Sequence, residues 1–288
     1  MNRTISTAIQ EPDAVYAARA ADRGQRFRSE TLIKVAAPLA IALIALGLWE
    51  LLVWVNEIPP YILPGPILVL QSLIQDWGTL YPSLVVTLQI TFSALAVATI
   101  GGVGLAVLFT LSRWVEMSLF PFAVILQVTP IIAIAPLILI YVDSTQVALL
   151  ICAWIVAFFP ILSNTTLGLN SADHNLKQLF QLYGASRWQT LRYLRLPSAM
   201  PYFLGGLKIA GGLSLIGAIV AEFAAGTAGT GSGLAYRILE AGYRLNIPRM
   251  FAALILISAT GIAIFLFFTW LSHVLLKDWH ESAMRTDR

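Results

Sequence analysis

Charge is what this chain has least of. Asp, Glu, Lys and Arg make up 11% of its 288 residues, against 58% hydrophobic residues and a mean hydropathy of +0.79. A soluble domain carries about a quarter charged residues, so a bilayer is the solvent for most of this chain. Cysteine is nearly absent. The single Cys152 excludes an intrachain disulfide and a cysteine-built metal cluster, and its redox compartment is unreadable. His174 and His273 stand at no ligand spacing from each other or from a carboxylate cluster. No Ser-His-Asp set, H-E-x-x-H or nucleophile elbow occurs in a usable context, so the sequence offers no active site and no metal site. The net charge of +3 and the pI of about 9.1 read as basic loops that set membrane topology, not as a nucleic-acid surface.

What is there is a series of long apolar runs. Six of them, at residues 35–55, 84–111, 117–142, 146–169, 202–225 and 250–276, reach the roughly 20 residues that cross a hydrocarbon core. Between the third and fourth only YVDSTQ intervenes, where Asp143 and Ser144 suit a tight turn. Arg3, Arg19, Arg23, Arg26, Arg28 and Lys34 precede the first run, and Arg113 follows the second. Lys177, Arg187, Arg192 and Arg195 lie between the fourth and fifth, and Lys277, Arg285 and Arg288 after the sixth. With six spans all these segments share one side, the cytoplasm by the positive-inside rule. Opposite them, residues 56–83 hold no Lys or Arg, and beyond the fifth run stand only Arg237, Arg244 and Arg249.

The expected fold is therefore an all-α polytopic membrane protein with about six transmembrane helices and both termini cytoplasmic. Residues 1–34 form a cytoplasmic arm, 35–276 the transmembrane domain and 277–288 a cytoplasmic tail. The first thirty residues lack an apolar core and a cleavage-like site, unlike a secretory signal.

One cytoplasmic loop, residues 170–201, has a built layout. Leu176, Leu179, Phe180 and Tyr183 share a helical face, and Gly184 can take the left-handed conformation that ends a helix. Ser186 and Gln189 form a capping-box pair. Trp188, Leu191 and Leu194 form a second ridge, which Pro197 is expected to stop. A loop of this kind is made to dock. Leu182, Tyr183, Gly184, Ala185, Ser186, Trp188, Leu196 and Pro197 are its candidate docking residues.

On the outer side, IPPYILPGP predicts a turn-rich path, followed by an interfacial helix over residues 67–77 with Trp77 at headgroup depth. The run GTAGTGSGLAYR lacks the G-K-[ST] ending of a phosphate loop. It reads as turn glycines before a short amphipathic helix over residues 234–243. Within the spans, Pro121, Pro130 and Pro136 interrupt the third, and freed backbone there suits either a kink or the wall of a water-filled path. Gln127, Thr129, Pro130 and Pro136 are the candidate path residues. Gly205, Gly206, Gly211, Gly212 and Gly217 predict close helix packing in the fifth span. Lys208 is expected to snorkel to its cytoplasmic end. Glu222 is expected near the outer interface, solvated, paired with an Arg or sensing a partner.

These residues carry a resemblance. Gly184 followed at fixed distance by Leu194-Arg195-Leu196-Pro197 resembles the docking-loop signature of permease subunits of ABC importers. The stretch GASRWQTLRYLRLPSAMPYFLGGLKIA is similar to the branch that imports nitrate, sulfonates and taurine. WELLVWVNEIPPYILPGP, VTPIIAIAPLILIY, AEFAAGTAGTGSGLAY and LLKDWHES also match, so the resemblance covers the chain from about residue 48 onward. Two positions depart from it. Gln178-Leu179-Phe180 replaces the acidic-Ala-Ala triplet that opens the motif, and Gly233-Leu234-Ala235-Tyr236 replaces Gly-Leu-Gly-Tyr.

The resemblance implies a permease with no nucleotide site of its own and no bound cofactor; ATP and Mg belong to a separate cytoplasmic ABC ATPase dimer. It implies a second copy of the chain across the path, a periplasmic solute-binding protein, surrounding membrane lipid and no nucleic acid, in a bacterial inner membrane. Small anions are the expected cargo, with pyrimidine-like vitamin precursors and bicarbonate nearby. A secondary transporter or channel is the competing class, but it would usually show inverted repeats or intramembrane ionisable residues, which are scarce in this sequence.

Overall fold

A computed structural model describes residues 36–226 and 231–277, and is helical through most of them. The arm 1–34 and all of the tail but Lys277 lie outside the described residues. Two compact units are present, Met1–Leu68 and Val69–Arg288.

The described part of the first unit holds α1, Ala36–Val55, a proline-rich turn segment, and the start of α2, Pro66–Gln75. Pro59 accepts from the backbone N–H groups of Ile62 (2.9 Å) and Leu63 (3.2 Å), closing the turn that the prolines impose. Glu50 is an acid in an apolar helix. Its Oε2 accepts from the Ile67 N–H at 3.4 Å, capping the start of α2, where N–H groups have no helical partner.

In the second unit, α3 runs Trp77–Leu111, α4 Arg113–Val128, α5 Ile131–Tyr141 and α6 Thr145–Asn170. Two short helices follow, α7 at His174–Leu182 and α8 at Arg187–Thr190. A π-helical turn, Leu191–Arg195, then leads into α9, Leu196–Ala225. The last elements are α10, Leu234–Tyr243, and α11, Ile247–Leu276. Five described helices are long and apolar enough to cross a membrane, or six if α4 and α5 count as one bent span.

That bend divides the third span expected at 117–142, which Pro121, Pro130 and Pro136 were expected to interrupt, into two helices. Helices α4 and α5 meet at 102°, and the break falls at Thr129–Pro130. Thr129 is extended at φ −72°, ψ 121°, the conformation that a following proline ring imposes. Pro121 and Pro136 sit inside helices, so Pro130 alone makes the break. The second span starts earlier than residue 84, and Trp77 opens α3 where it was expected to close the interfacial helix. Pro197 is a second correction. It lies in the first turn of α9, and the helix runs through it from Arg187 to Ala225. The Leu196 N–H reaches back five residues to the Leu191 carbonyl, and this wider turn takes up the local mismatch that a proline without N–H creates.

Helix α6 packs against both α3 and α9, and Ile161, Leu162, Leu95, Ala98 and Leu207 fill the shared core. Close approach explains three of the five α9 glycines. A Cβ on Gly206 would lie 2.9 Å from the Pro160 carbonyl oxygen, one on Gly217 2.9 Å from Ala153 Cα, and one on Gly211 2.7 Å from the Phe268 ring. Gly205 and Gly212 meet nothing within 4 Å, so packing within this chain does not account for them.

Candidate functional site

The candidate docking loop is a pair of short helices with well-made ends. Asp173 caps α7, its Oδ1 accepting from the N–H groups of Asn175 (2.7 Å) and Leu176 (3.2 Å). At the other end Gly184 stands at φ +67°. Its N–H donates to the Gln181 carbonyl at 3.0 Å, and the Ala185 N–H donates to Phe180 at 2.9 Å. This pair of bonds is the Schellman closure. It requires a left-handed residue, and a Cβ at Gly184 would meet nothing within 4 Å. Conformation alone selects glycine here.

Two residues on, Ser186 accepts from the Gln189 N–H (3.2 Å) while the Ser186 N–H donates to Gln189 Oε1 (2.7 Å). The capping box stands as expected. The second ridge does not. Leu191 and Leu194 are buried in the core, 3% and 7% exposed, whereas Trp188 is 67% exposed. The four-residue α8 and the π turn rotate the chain between them. Leu182 and Tyr183 are 84% and 83% exposed, large apolar surfaces left uncovered beside a rigid turn. Ala185 and Pro197 are half-buried and Leu196 is exposed.

At the opposite ends of the helices lies an arrangement that sequence reading missed. Glu222 is 3% exposed, neither solvated nor paired with an Arg. Its Oε1 accepts from the Thr87 hydroxyl at 2.8 Å and its Oε2 from the Ala235 N–H at 3.0 Å. Thr87 in turn accepts from the Leu234 N–H at 2.9 Å. One carboxylate and one hydroxyl thus satisfy two N–H groups at the start of α10 and tie α3, α9 and α10 together. Gly233 is glycine for room, because a Cβ there would collide with the Glu222 carboxylate. The helix predicted at 234–243 is present, and residues 227–230 of the glycine run lie outside the described residues. Thr87 reads as one more small polar residue in an apolar run, so no sequence signal marks it.

Nearby, Arg249 grips Asp76 through Nε (2.8 Å) and Nη2 (2.5 Å). The hydrogen bond from Arg249 holds the Asp76 carboxyl below its usual range against the opposing effect of burial. Arg237 donates to the Ser83 hydroxyl at 2.8 Å and to Glu240 at 2.8 Å, and it likewise depresses the Glu240 carboxyl.

Of the four candidate path residues, Gln127, Thr129 and Pro130 lie at the α4–α5 bend and Pro136 lies inside α5. Gln127 and the two prolines are at least partly exposed, and the Thr129 hydroxyl donates to the Ile125 carbonyl at 2.7 Å. Lys208 has not reached a helix end. It lies inside α9 with its ammonium 3.9 Å from the Phe265 ring centroid, a cation–π contact.

The described residues thus define a class, polytopic helical membrane proteins with a built, exposed loop between two spans. Residues 98–277 match the family of binding-protein-dependent transport system inner membrane components, and the chain belongs to that family. It is 30% identical to a probable ABC transporter permease of Haemophilus influenzae, over 84% of this chain and 97% of that one. It is 32% identical to the formylaminopyrimidine transport permease ThiX of Halalkalibacterium halodurans, over 77% and 87%. Permeases named for aliphatic sulfonates, nitrate and taurine also match. Among solved structures, an amino acid ABC transporter chain shares the fold, with TM-score 0.57 and 18% identity over 71% of this chain and 96% of that one. The protein is thus a multi-pass inner-membrane permease of the ABC importer class. Its family works with a separate ATPase subunit and a solute-binding protein.

Proposed function

We propose that this chain, with a second copy of itself, forms the translocation path of an importer and carries no ATPase site. ATP and Mg are bound by a cytoplasmic ATPase dimer that docks on the loop at Leu182, Tyr183, Gly184, Ala185, Ser186 and Trp188. A periplasmic binding protein delivers a small solute of the sulfonate, taurine or nitrate kind. The observation that carries this reading is the loop itself. Three large apolar side chains, Leu182, Tyr183 and Trp188, stand uncovered on a turn closed by a Schellman pair and a capping box, and exposed apolar surface of this sort marks a partner site. Closure of the ATPase dimer moves the paired loops, and the permease halves rock to open the path to each side in turn. The path runs past Gln127, Thr129, Pro130 and Pro136, where the broken helix pair exposes backbone that only protein or a watery cavity tolerates.

Co-purification tests this. Wild type and a Leu182→Asp/Tyr183→Asp/Trp188→Asp variant are extracted in mild detergent from native membranes, and their partners are identified by mass spectrometry. These three side chains are exposed, so the variant keeps its core. An ABC ATPase retained by wild type and lost from the variant is expected. An ATPase retained equally by both, or by neither under conditions that preserve other importers, refutes the docking assignment.

A further inference from the structure

At the docking-loop end of the second unit, the α3–α4 turn borders a cavity of about 570 Å³ whose other wall is α7, α8 and the π turn. Four lining side chains are cationic: Arg113, Lys177, Arg187 and Arg195; no Asp or Glu lines it. Lys177 spends one N–H on the Asn170 carbonyl at 3.0 Å. None of the four makes an ion pair among the described residues. Like charges gathered around one small space repel, so the arrangement is suited to an anion.

A second cavity, of about 580 Å³, shares Thr110, Arg113 and Arg195 with the first. It continues along Phe109, Met117, Phe120 and Pro121, with Glu116 its single acid. The two form one cleft, basic at one end and apolar along α4. Trp114 lines the basic end and is 78% exposed, as befits an indole at headgroup depth.

We infer that this cleft binds an anionic phospholipid, its phosphate among Arg113, Arg195 and their neighbours and its acyl chains along Met117, Phe120 and Pro121. Basic pockets between membrane helices hold anionic headgroups in this way. Free phosphate would fill only the basic half and leaves the apolar half unexplained. An ATPase surface is the other occupant to consider, but Leu182, Tyr183 and Trp188 line neither cavity. Of the candidate docking residues only Ala185 lines the basic cavity, so the apolar ridge offered to a soluble partner and the basic cleft meet there and are otherwise different parts of the loop. A lipid seated here would bridge the α3–α4 turn to the docking loop. The inference concerns this chain alone and stands whether or not an ATPase docks on the ridge.

The test is native mass spectrometry of the detergent-solubilised full chain, titrated in separate arms with phosphatidylglycerol, phosphatidylcholine and inorganic phosphate. Phosphatidylglycerol is expected to bind well ahead of phosphatidylcholine. Arg113→Gln/Arg195→Gln removes the two cations that line both cavities, and at about 1 kcal/mol for each basic residue its affinity should fall roughly thirtyfold. Arg113→Lys/Arg195→Lys should keep most of the binding, which separates lost charge from lost fold. Arg192→Gln/Lys277→Gln, outside both cavities, should match wild type. Equal binding of the two lipids, or an unchanged affinity in the Gln pair, overturns the inference. So does displacement of the lipid by millimolar phosphate, or by the co-purified ATPase, which would assign the cleft to that partner.

Discussion

Replacing Gly184 isolates one physical quantity, the cost of a left-handed backbone. At φ +67°, with nothing within 4 Å of the point where a Cβ would stand, a substitution there creates no clash with a neighbour. An L-residue in this conformation costs about 1–2 kcal/mol; Asn costs less, because its short polar side chain tolerates the region, and β-branched Val costs more. If the turn instead relaxes, the bonds from the Gly184 and Ala185 N–H groups to Gln181 and Phe180 are lost, at about 1 kcal/mol each. By either route the formed turn is depopulated roughly five- to thirtyfold in Ala and further in Val. Binding-protein-stimulated uptake in reconstituted vesicles, with insertion checked in the same samples, should therefore rank Gly above Asn, Ala and Val. Uptake by Gly184→Val at the wild-type rate would refute the reasoning, and so would Asn performing as badly as Val. The second outcome would show that side-chain bulk, and not φ, decides.

Ser186→Ala removes the hydroxyl that accepts from Gln189; it should cost about 1 kcal/mol of local helix stability, read as a roughly fivefold drop in ATPase retention. Gly233→Ala drives a methyl into the Glu222 carboxylate and should destabilise by about 1–3 kcal/mol, measured by thermal unfolding in detergent. Glu222→Ala strands the Thr87 hydroxyl and the Ala235 N–H, at about 1–3 kcal/mol each. The double variant should lose less than the sum, because one change removes the other's obstacle. Asp76→Asn should cost about 2 kcal/mol at neutral pH through its charge-assisted bonds to Arg249. Because the folded carboxyl titrates below its usual range, its stabilisation is complete above about pH 4 and disappears as pH falls through the lower folded value. An acid melting series should flatten in Asp76→Asn but keep the slope from Glu240, which is depressed in the same direction.

The loop's turn chemistry was legible because it is local: a glycine, a serine and a glutamine at fixed spacing specify a left-handed stop and a capping box, whatever surrounds them. Helix content was legible for the same reason, since about 20 apolar residues in a row have few alternatives in lipid. Pro197 misled because its effect is set by the preceding turn. Widening Leu191–Arg195 to a π turn absorbs the ring, and no residue type announces that choice. The 102° break at Pro130 was half visible: three prolines marked the segment, but nothing in the sequence said which of them would bend it. Glu222 and Thr87 lie 135 residues apart, and only the packing of α3 on α9 brings them together. Pairings at that separation leave no periodic trace. The ridge of Trp188, Leu191 and Leu194 failed because it assumed one helical register across a change of helix type.

The continuity of the helix through Pro197 has a mechanical consequence. From Arg187 to Ala225 the helix runs for 39 residues, about 58 Å at 1.5 Å per residue, with no loop to absorb strain. One end carries Trp188 and the other Glu222. Tilted as one body by about 5° about its middle, a helix of this length displaces each end by roughly 2.5 Å, in opposite directions. The buried Leu191 and Leu194 seat the Trp188 end on the core, and the Glu222 carboxylate ties the other end to the start of α10, so a tilt of the helix would be felt at both.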